Sequence, residues 1–143
     1  MISTAIRALF AQIFARREKD IDDFVRLVRG QSVDEIEAVL KFRLDRARTL
    51  AKGHLTLTLR CRNGRLAIYR FALGEDVPYT NKLEAGPSII KTVWKADKRI
   101  EEIQARLSNV RIRFGKVKMP DGSEESPNDL LEGIDEVLLR KQA

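Results

Sequence analysis

The chain has little of the chemistry that builds disulfides, metal sites or nucleophilic catalytic sites. Its 143 residues include one cysteine, Cys61, and one histidine, His54. A single cysteine cannot form an intramolecular disulfide, and this pair cannot supply the ligands of a zinc site. These absences predict an intracellular, metal-free protein. Cys61 is expected to be a small core residue and His54 a surface residue at the start of a strand.

Longer functional patterns are missing as well. The sequence contains neither GxxxxGK[ST] nor GxGxxG, the glycine-rich loops that bind nucleotide phosphates. It has no apolar run of roughly 18 residues, the length that a membrane-spanning helix needs. The acidic loop at 121–125 lacks the spacing of a calcium loop, and no nucleophile, base and oxyanion donor form a catalytic pattern. We therefore expect a cytoplasmic protein that is not an enzyme, has no cofactor and does not bind a membrane.

Positive charge is abundant, and most of it lies in the middle of the chain. The net charge is +6. Residues 1–37 carry 6 basic and 7 acidic side chains, residues 38–118 carry 19 and 7, and residues 119–143 carry 2 and 7. The middle block, at +12, is typical of a polyanion-binding site, because neutralising phosphates releases counterions. The alternative interpretation is a charged surface that only keeps the protein soluble.

Within this block, residues 54–73 predict a β-hairpin. Two runs of alternating polarity flank Asn63-Gly64, a dipeptide that suits a two-residue type I′ turn because both of its residues tolerate positive φ. That turn places Leu59 opposite Ile68. One face of the hairpin is then apolar and consists of Leu55, Leu57, Leu59, Cys61, Leu66, Ile68 and Ala72. The other face carries Thr56, Thr58, Arg60, Arg62, Arg65, Tyr69 and Phe71.

The first 53 residues show helical spacing of apolar residues. A first helix is predicted over 2–29. Ser32 and Glu35 then match a capping box, which predicts a second helix that ends at Gly53. The sides of this second helix that its apolar stripe leaves exposed carry Lys41, Arg43, Arg46 and Arg48.

A long helix is predicted over 86–118. Its apolar residues are separated by alternating steps of four and three, as in a coiled coil or a long bundle helix: Ile89, Val93, Ala96, Ile100, Ile103, Leu107, Val110, Phe114 and Val117. Residues 110–114 also alternate with period two, so the alternative is a helix that stops near Asn109 and a third strand over 110–119. We favour the helix. A short helix capped by Ser126 follows over 126–141.

Together these elements predict a single domain over 1–143 of the α+β class, mostly helical. It comprises an antiparallel helix pair over 1–53, one β-hairpin over 54–73 with or without a third strand, a long amphipathic helix over 86–118 and a C-terminal helix over 126–141.

The functional hypothesis rests on the hairpin face that mixes guanidinium groups with aromatic rings. Such a face binds phosphates and stacks on bases. We therefore expect an accessory protein that binds DNA or RNA mainly through phosphates. The predicted contact residues are Arg60, Arg62, Arg65, Tyr69, Arg70, Arg111, Arg113, Lys116 and Lys118.

The alternative is a protein–protein interaction module. In that case the basic charge steers the chain to an acidic protein surface, and the protein acts as an assembly adaptor or as an inhibitor of a nucleic-acid-handling complex. The long helical seam is compatible with a homodimer under either hypothesis.

Overall fold

The structure, a computed structural model, describes residues 17–134, apart from the side chains of residues 17–20, 74 and 75. Three helices and six strands lie in this part of the chain. In chain order they are α1 Arg17–Arg29, β1 Val33–Leu44, β2 Leu50–Cys61, β3 Leu66–Pro78, α2 Lys82–Arg106, β4 Arg111–Phe114, β5 Val117–Lys118, β6 Glu124–Glu125 and α3 Pro127–Leu131.

The six strands form one mixed sheet. Strands β1, β2 and β3 are an antiparallel meander, and the strand order is β3-β2-β1-β5-β6. Helix α2 carries the chain from the β3 edge back past β2 to the far side of β1, where β4 and β5 pair with β1 in parallel. Strand β6 pairs antiparallel with β5. A parallel pairing of this kind needs a crossover connection, and α2 supplies it.

Both long helices pack on one face of the sheet. The ring of Phe24 on α1 lies 5.1 Å from that of Tyr69 and 5.8 Å from that of Phe71, both on β3. Helix α2 approaches β2 so closely that a Cβ at Gly53 would lie 3.0 Å from Cγ2 of Thr92. The core is therefore a single layer between the helices and this face.

The predicted apolar seam of the long helix is confirmed over most of its length. Ile89, Val93, Ala96, Ile100, Ile103 and Leu107 are all buried. The helix itself differs at both ends. It begins at Lys82, where the side chain of Asn81 accepts a hydrogen bond from the Glu84 amide, and it ends at Arg106.

The prediction that the helix continues to residue 118 is wrong. Residues 111–114 and 117–118 are strands, which was the alternative interpretation of the period-two pattern. The side chain of Gln104 stabilises the connection between the end of α2 and β4. Its Nε2 donates to the carbonyl of Val110 at 2.7 Å, and its Oε1 accepts from the amide of Ile112 at 2.9 Å.

The predicted helix pair over 1–53 is also wrong, and with it the mostly helical class. Residues 33–44 and 50–61 are the strands β1 and β2. Residues 36–44 alternate between apolar and other side chains as well as matching a helical stripe. The strand is favoured because it buries Ile36, Ala38, Leu40 and Phe42 together on one face, each at most 1% exposed. Helix α1 confirms the first predicted helix within the described residues, whereas residues 2–16 lie outside them.

The predicted β-hairpin is present as β2 and β3, but the prediction of one hairpin is wrong, because β1 and β2 form another. The register of the predicted hairpin also differs by one residue from the prediction. The amide of Cys61 donates to the carbonyl of Arg65 at 2.9 Å, which leaves a three-residue loop. Gly64 has φ +84, whereas Asn63 is not at positive φ. The Gly64 amide also donates to the carbonyl of Cys61 at 2.9 Å. A left-handed glycine at the last loop position is the arrangement of the usual three-residue hairpin loop. Because side chains alternate along a strand, this one-residue shift turns every β3 side chain to the opposite face.

The C-terminal helix is described only in part. Helix α3 begins at Pro127 after Ser126 in the cap position and ends at Leu131. The rest of the predicted helix over 126–141 lies largely outside the described residues.

Candidate functional site

The face of the sheet opposite to α1 and α2, here called the open face, has no helix packed on it among residues 17–134. Its side chains come from alternate positions of β1 to β5, and many are exposed. On this face, residues that are partners across neighbouring strands form rows. One row contains Leu66, Arg60, Glu35 and Arg111, and the next contains Ile68, Thr58, Glu37 and Arg113.

The hairpin end of the open face therefore contains three of the predicted contact residues, Arg60, Arg111 and Arg113. Acidic residues lie among them. Arg113 pairs with Glu37, and its Nε is 3.6 Å from a carboxylate oxygen of Glu35. Much of the positive charge that the sequence analysis assigned to this region is therefore neutralised locally.

Two further predicted residues, Arg62 and Arg65, lie in or beside the hairpin loop rather than on the face. Nε of Arg62 is 3.0 Å from Oδ1 of Asp34. Arg65 is exposed and follows the loop. The structure thus places them at one tip of the sheet, where Arg62 already has an acidic partner.

Tyr69 does not lie on the open face, so the predicted stacking surface is absent. Its side chain is 5% exposed, and its ring lies 4.7 Å from that of Phe71 and 5.1 Å from that of Phe24. Phe71 is buried in the same way. The side chains turned outward in their place are Leu66 and Ile68, which are 60% and 65% exposed.

The remaining part of the open face contains a different group of cations, here called the basic cluster: Lys41, Arg43, Lys52, His54, Arg70 and Lys118. His54 is directly opposite Lys41, Arg43 is opposite Lys52, and Lys41 is beside Lys118. Within the described part of the chain, the five Lys and Arg side chains of the cluster form no ion pair. Two acidic residues lie directly across from members of the cluster, Asp76 from Lys52 and Glu124 from Lys118, both at its margins.

The positive charge of the basic cluster affects the pKa of His54, its histidine. Partial burial lowers the pKa of His54 below its usual 6.5, and the charges of Arg70, Arg43 and Lys52 lower it further. All three charged groups disfavour a proton on the ring, because a like charge opposes ionisation. His54 thus occupies a region of positive potential, which favours its neutral form.

The loop between β1 and β2 extends the basic cluster beyond the end of the sheet. A shallow depression there is lined by Lys41, Arg43, Arg46 and Arg48, and its other lining residues include Asp45, Met119, Pro120 and Gly122. The single carboxylate of this loop, Asp45, accepts hydrogen bonds from the amides of Thr49 at 2.9 Å and Leu50 at 3.3 Å. These bonds lower the pKa of Asp45, the Thr49 amide contributing most. Asp45 therefore shapes the turn and leaves the four cations facing solvent.

Part of this cluster was predicted from the sequence, but on the wrong secondary-structure element. Lys41 and Arg43 were expected on the exposed side of a helix, and they are exposed on a strand instead. Arg70 and Lys118 were predicted contact residues and belong to the cluster, while Lys116 is exposed just before β5. Lys52 and His54 were missed. The signal that identifies them is the alternation in residues 50–61, which starts four residues before the predicted hairpin.

The described residues offer little for other kinds of chemistry. Residues 17–134 contain no group of three or more His, Cys, Asp or Glu side chains that is arranged to hold a metal ion. Cys61 is buried, and its thiol lies 3.5 Å from Oε1 of Gln31. No helix in the same part of the chain is long and apolar enough to cross a membrane.

Comparisons with protein-family models, with curated proteins and with solved structures find no match to this chain. The open face and its basic cluster are therefore the basis for a functional assignment.

Proposed function

We propose that the protein binds nucleic acid through phosphate contacts made by the open face, with the basic cluster as the main contact region. The observation that carries this proposal is a group of cations that form no ion pair among the described residues and lie on a sheet face that no helix of those residues covers. Lys and Arg side chains neutralise phosphates, and Thr hydroxyls such as those of Thr56 and Thr58 on the same face donate hydrogen bonds to phosphate oxygens.

The side chains on this face favour backbone contacts over base contacts. Among the described residues, the open face presents no Phe, Tyr or Trp side chain, since Tyr69 and Phe71 point into the core. Stacking on exposed aromatics is what favours unpaired bases. We therefore expect weak sequence preference and no preference for single strands over duplex.

The test is fluorescence anisotropy with labelled single-stranded and duplex oligonucleotides at several salt concentrations. The variant Arg43→Gln/Lys52→Gln removes two charges from the basic cluster. The matched control, Lys98→Gln/Arg99→Gln, removes one Lys and one Arg charge from α2 in the helical layer. The two variants have the same net charge, so they separate a local contact from a general charge effect.

The cluster variant should weaken binding by a similar factor for every sequence. Its plot of log affinity against log salt should become shallower by about 1.4 to 1.8, because each lost phosphate contact accounts for about 0.7 to 0.9 of the slope. The control variant should bind nearly as the wild type does. Equal losses in the two variants would refute the assignment to the open face, and no binding by the wild type at about 50 mM salt would refute nucleic-acid binding itself.

A protein partner remains the second candidate, because Leu66 and Ile68 form an exposed apolar pair on the same face. Single apolar residues on a surface are ordinary, whereas contiguous exposed apolar surface marks interaction sites. This candidate predicts no salt-dependent oligonucleotide binding in the same titration.

A further inference from the structure

The outer edge of β3 has no strand beside it in the described part of the chain, since β3 is the terminal strand of the sheet. Residues 66–72 pair with β2 without irregularity, and the register shifts only beyond Ala72. Hydrogen bonding alternates along an antiparallel pair. The amide of Cys61 bonds to the carbonyl of Arg65, so the backbone groups of Leu66, Ile68, Arg70 and Ala72 point away from β2, toward the free edge. Such an edge is ready to accept another strand.

Apolar side chains are exposed on both sides of this edge. Leu66 and Ile68 lie on the open face. On the helical side, Leu27 of α1 is 38% exposed. It lies about 140° around the helix from Asp22, at 100° per residue, and Asp22 contacts Arg106 of α2. Leu27 therefore faces away from α2. Because Phe24 places α1 over the terminal strand β3, this side of α1 is the side of the free edge.

We propose that a second copy of this chain occupies the β3 edge and forms a two-fold dimer with a continuous sheet. A single foreign strand would cover the edge and reach Leu66 and Ile68, but it would bring no helix to cover Leu27. A second copy brings both layers, the strand edge and α1, to the same interface. Because the interface is isologous, the same residues are covered on both copies.

Residues 66–72, the regularly paired segment of β3, also define how the β3 strands of the two copies pair. When residues 66–72 overlap fully with themselves in antiparallel order, Leu66 lies opposite Ala72 of the second copy and Ile68 lies opposite Arg70 of the second copy. The two Arg70 side chains are then diagonal rather than directly opposed, and the aliphatic stem of each covers an Ile68. Each copy contributes four N–H and four C=O groups from the free edge to this pairing.

The two-fold axis is perpendicular to the sheet, so both open faces lie on the same side. With strands about 4.8 Å apart and about 3.4 Å per residue, the two His54 side chains would be about 25 Å apart. If the proposed function is right, one duplex can contact both basic clusters. The dimer itself does not depend on that proposal, and its test contains no nucleic acid.

Sedimentation velocity on the nucleic-acid-free full chain measures the association. The wild type should have twice the chain mass at concentrations from about 10 to 100 µM, a range that detects micromolar affinity. Ile68→Lys should sediment as a monomer with unchanged circular dichroism, because it places an ammonium opposite Arg70 of the second copy. The matched control, Leu83→Lys, changes a 90% exposed leucine on α2 and should leave the dimer intact.

A charge reversal tests the register. Adding Arg70→Glu to Ile68→Lys places opposite charges across the interface in the full-overlap register, so the double variant should regain the dimer mass. A role of Ile68 in folding alone would not produce this rescue. The proposal is overturned by a wild type that is monomeric throughout the range, by an Ile68→Lys variant that remains dimeric, or by a double variant that remains monomeric.

Discussion

The register of the β2–β3 hairpin is best tested by comparing two neighbouring alanine substitutions. A two-residue turn would bury Ile68 and expose Tyr69, whereas the three-residue loop in the structure does the reverse. Tyr69→Ala removes a ring that is 5% exposed and that packs against Phe24 and Phe71. Removing a large buried side chain costs about 3 to 5 kcal/mol. Ile68 is 65% exposed, and substitutions at such surface positions usually change stability by less than about 0.5 kcal/mol.

The free energies of unfolding should thus differ by more than about 2 kcal/mol between the two variants, allowing for scatter in both effects. Urea denaturation followed by far-ultraviolet circular dichroism measures them. Each titration is run at two protein concentrations, because self-association through Ile68 would make the apparent stability concentration-dependent. If Ile68→Ala costs more than Tyr69→Ala at the lower concentration, the register described above is wrong.

Three further predictions concern single side chains. Gly64→Val should destabilise the domain by about 1 to 3 kcal/mol because Gly64 has φ +84, and thermal unfolding should show a smaller loss for Gly64→Asn, since Asn tolerates that conformation. Gln104→Ala should cost about 1 to 3 kcal/mol in urea denaturation by removing the acceptor of the part-buried Ile112 amide, and equal stability of the variant and the wild type would contradict this role. Burial and nearby cations lower the pKa of His54 in the folded protein below 6.5. Near that pH the unfolded chain therefore binds more protons than the folded protein does, so the melting temperature of the wild type should fall as the pH drops through about 6.5. The fall should be smaller in His54→Asn.

The sequence determined the features that depend on neighbouring residues. The α2 seam from Ile89 to Leu107 follows from the repeat of apolar residues, because this stretch matches helical spacing and shows no competing period-two alternation. The hairpin follows from Asn63-Gly64 between two alternating runs. The concentration of cations between residues 38 and 118 is a property of composition, and it holds whichever elements carry those residues.

Where a segment fits both a helical and a period-two pattern, the tertiary structure decided between helix and strand. Residues 36–44 fit both a helical stripe and a period-two alternation, and the presence of β2 on one side and β4 on the other makes the strand the better choice. For the same reason residues 111–114 became a strand beside β1 rather than the end of α2. Strand pairing joins residues far apart in sequence, so no window of the sequence contains the information that selects it.

The side chains that β3 contributes to the open face depended on one residue of loop length, whereas the cations of β1, β2 and β5 do not depend on it. A change of one residue in the length of the β2–β3 loop moves Tyr69 and Phe71 into the core under Phe24 and turns Leu66 and Ile68 outward. Both loop lengths suit Asn-Gly locally. What separates them is the apolar surface of α1, which buries two aromatic rings in one register and would have only smaller side chains to cover in the other.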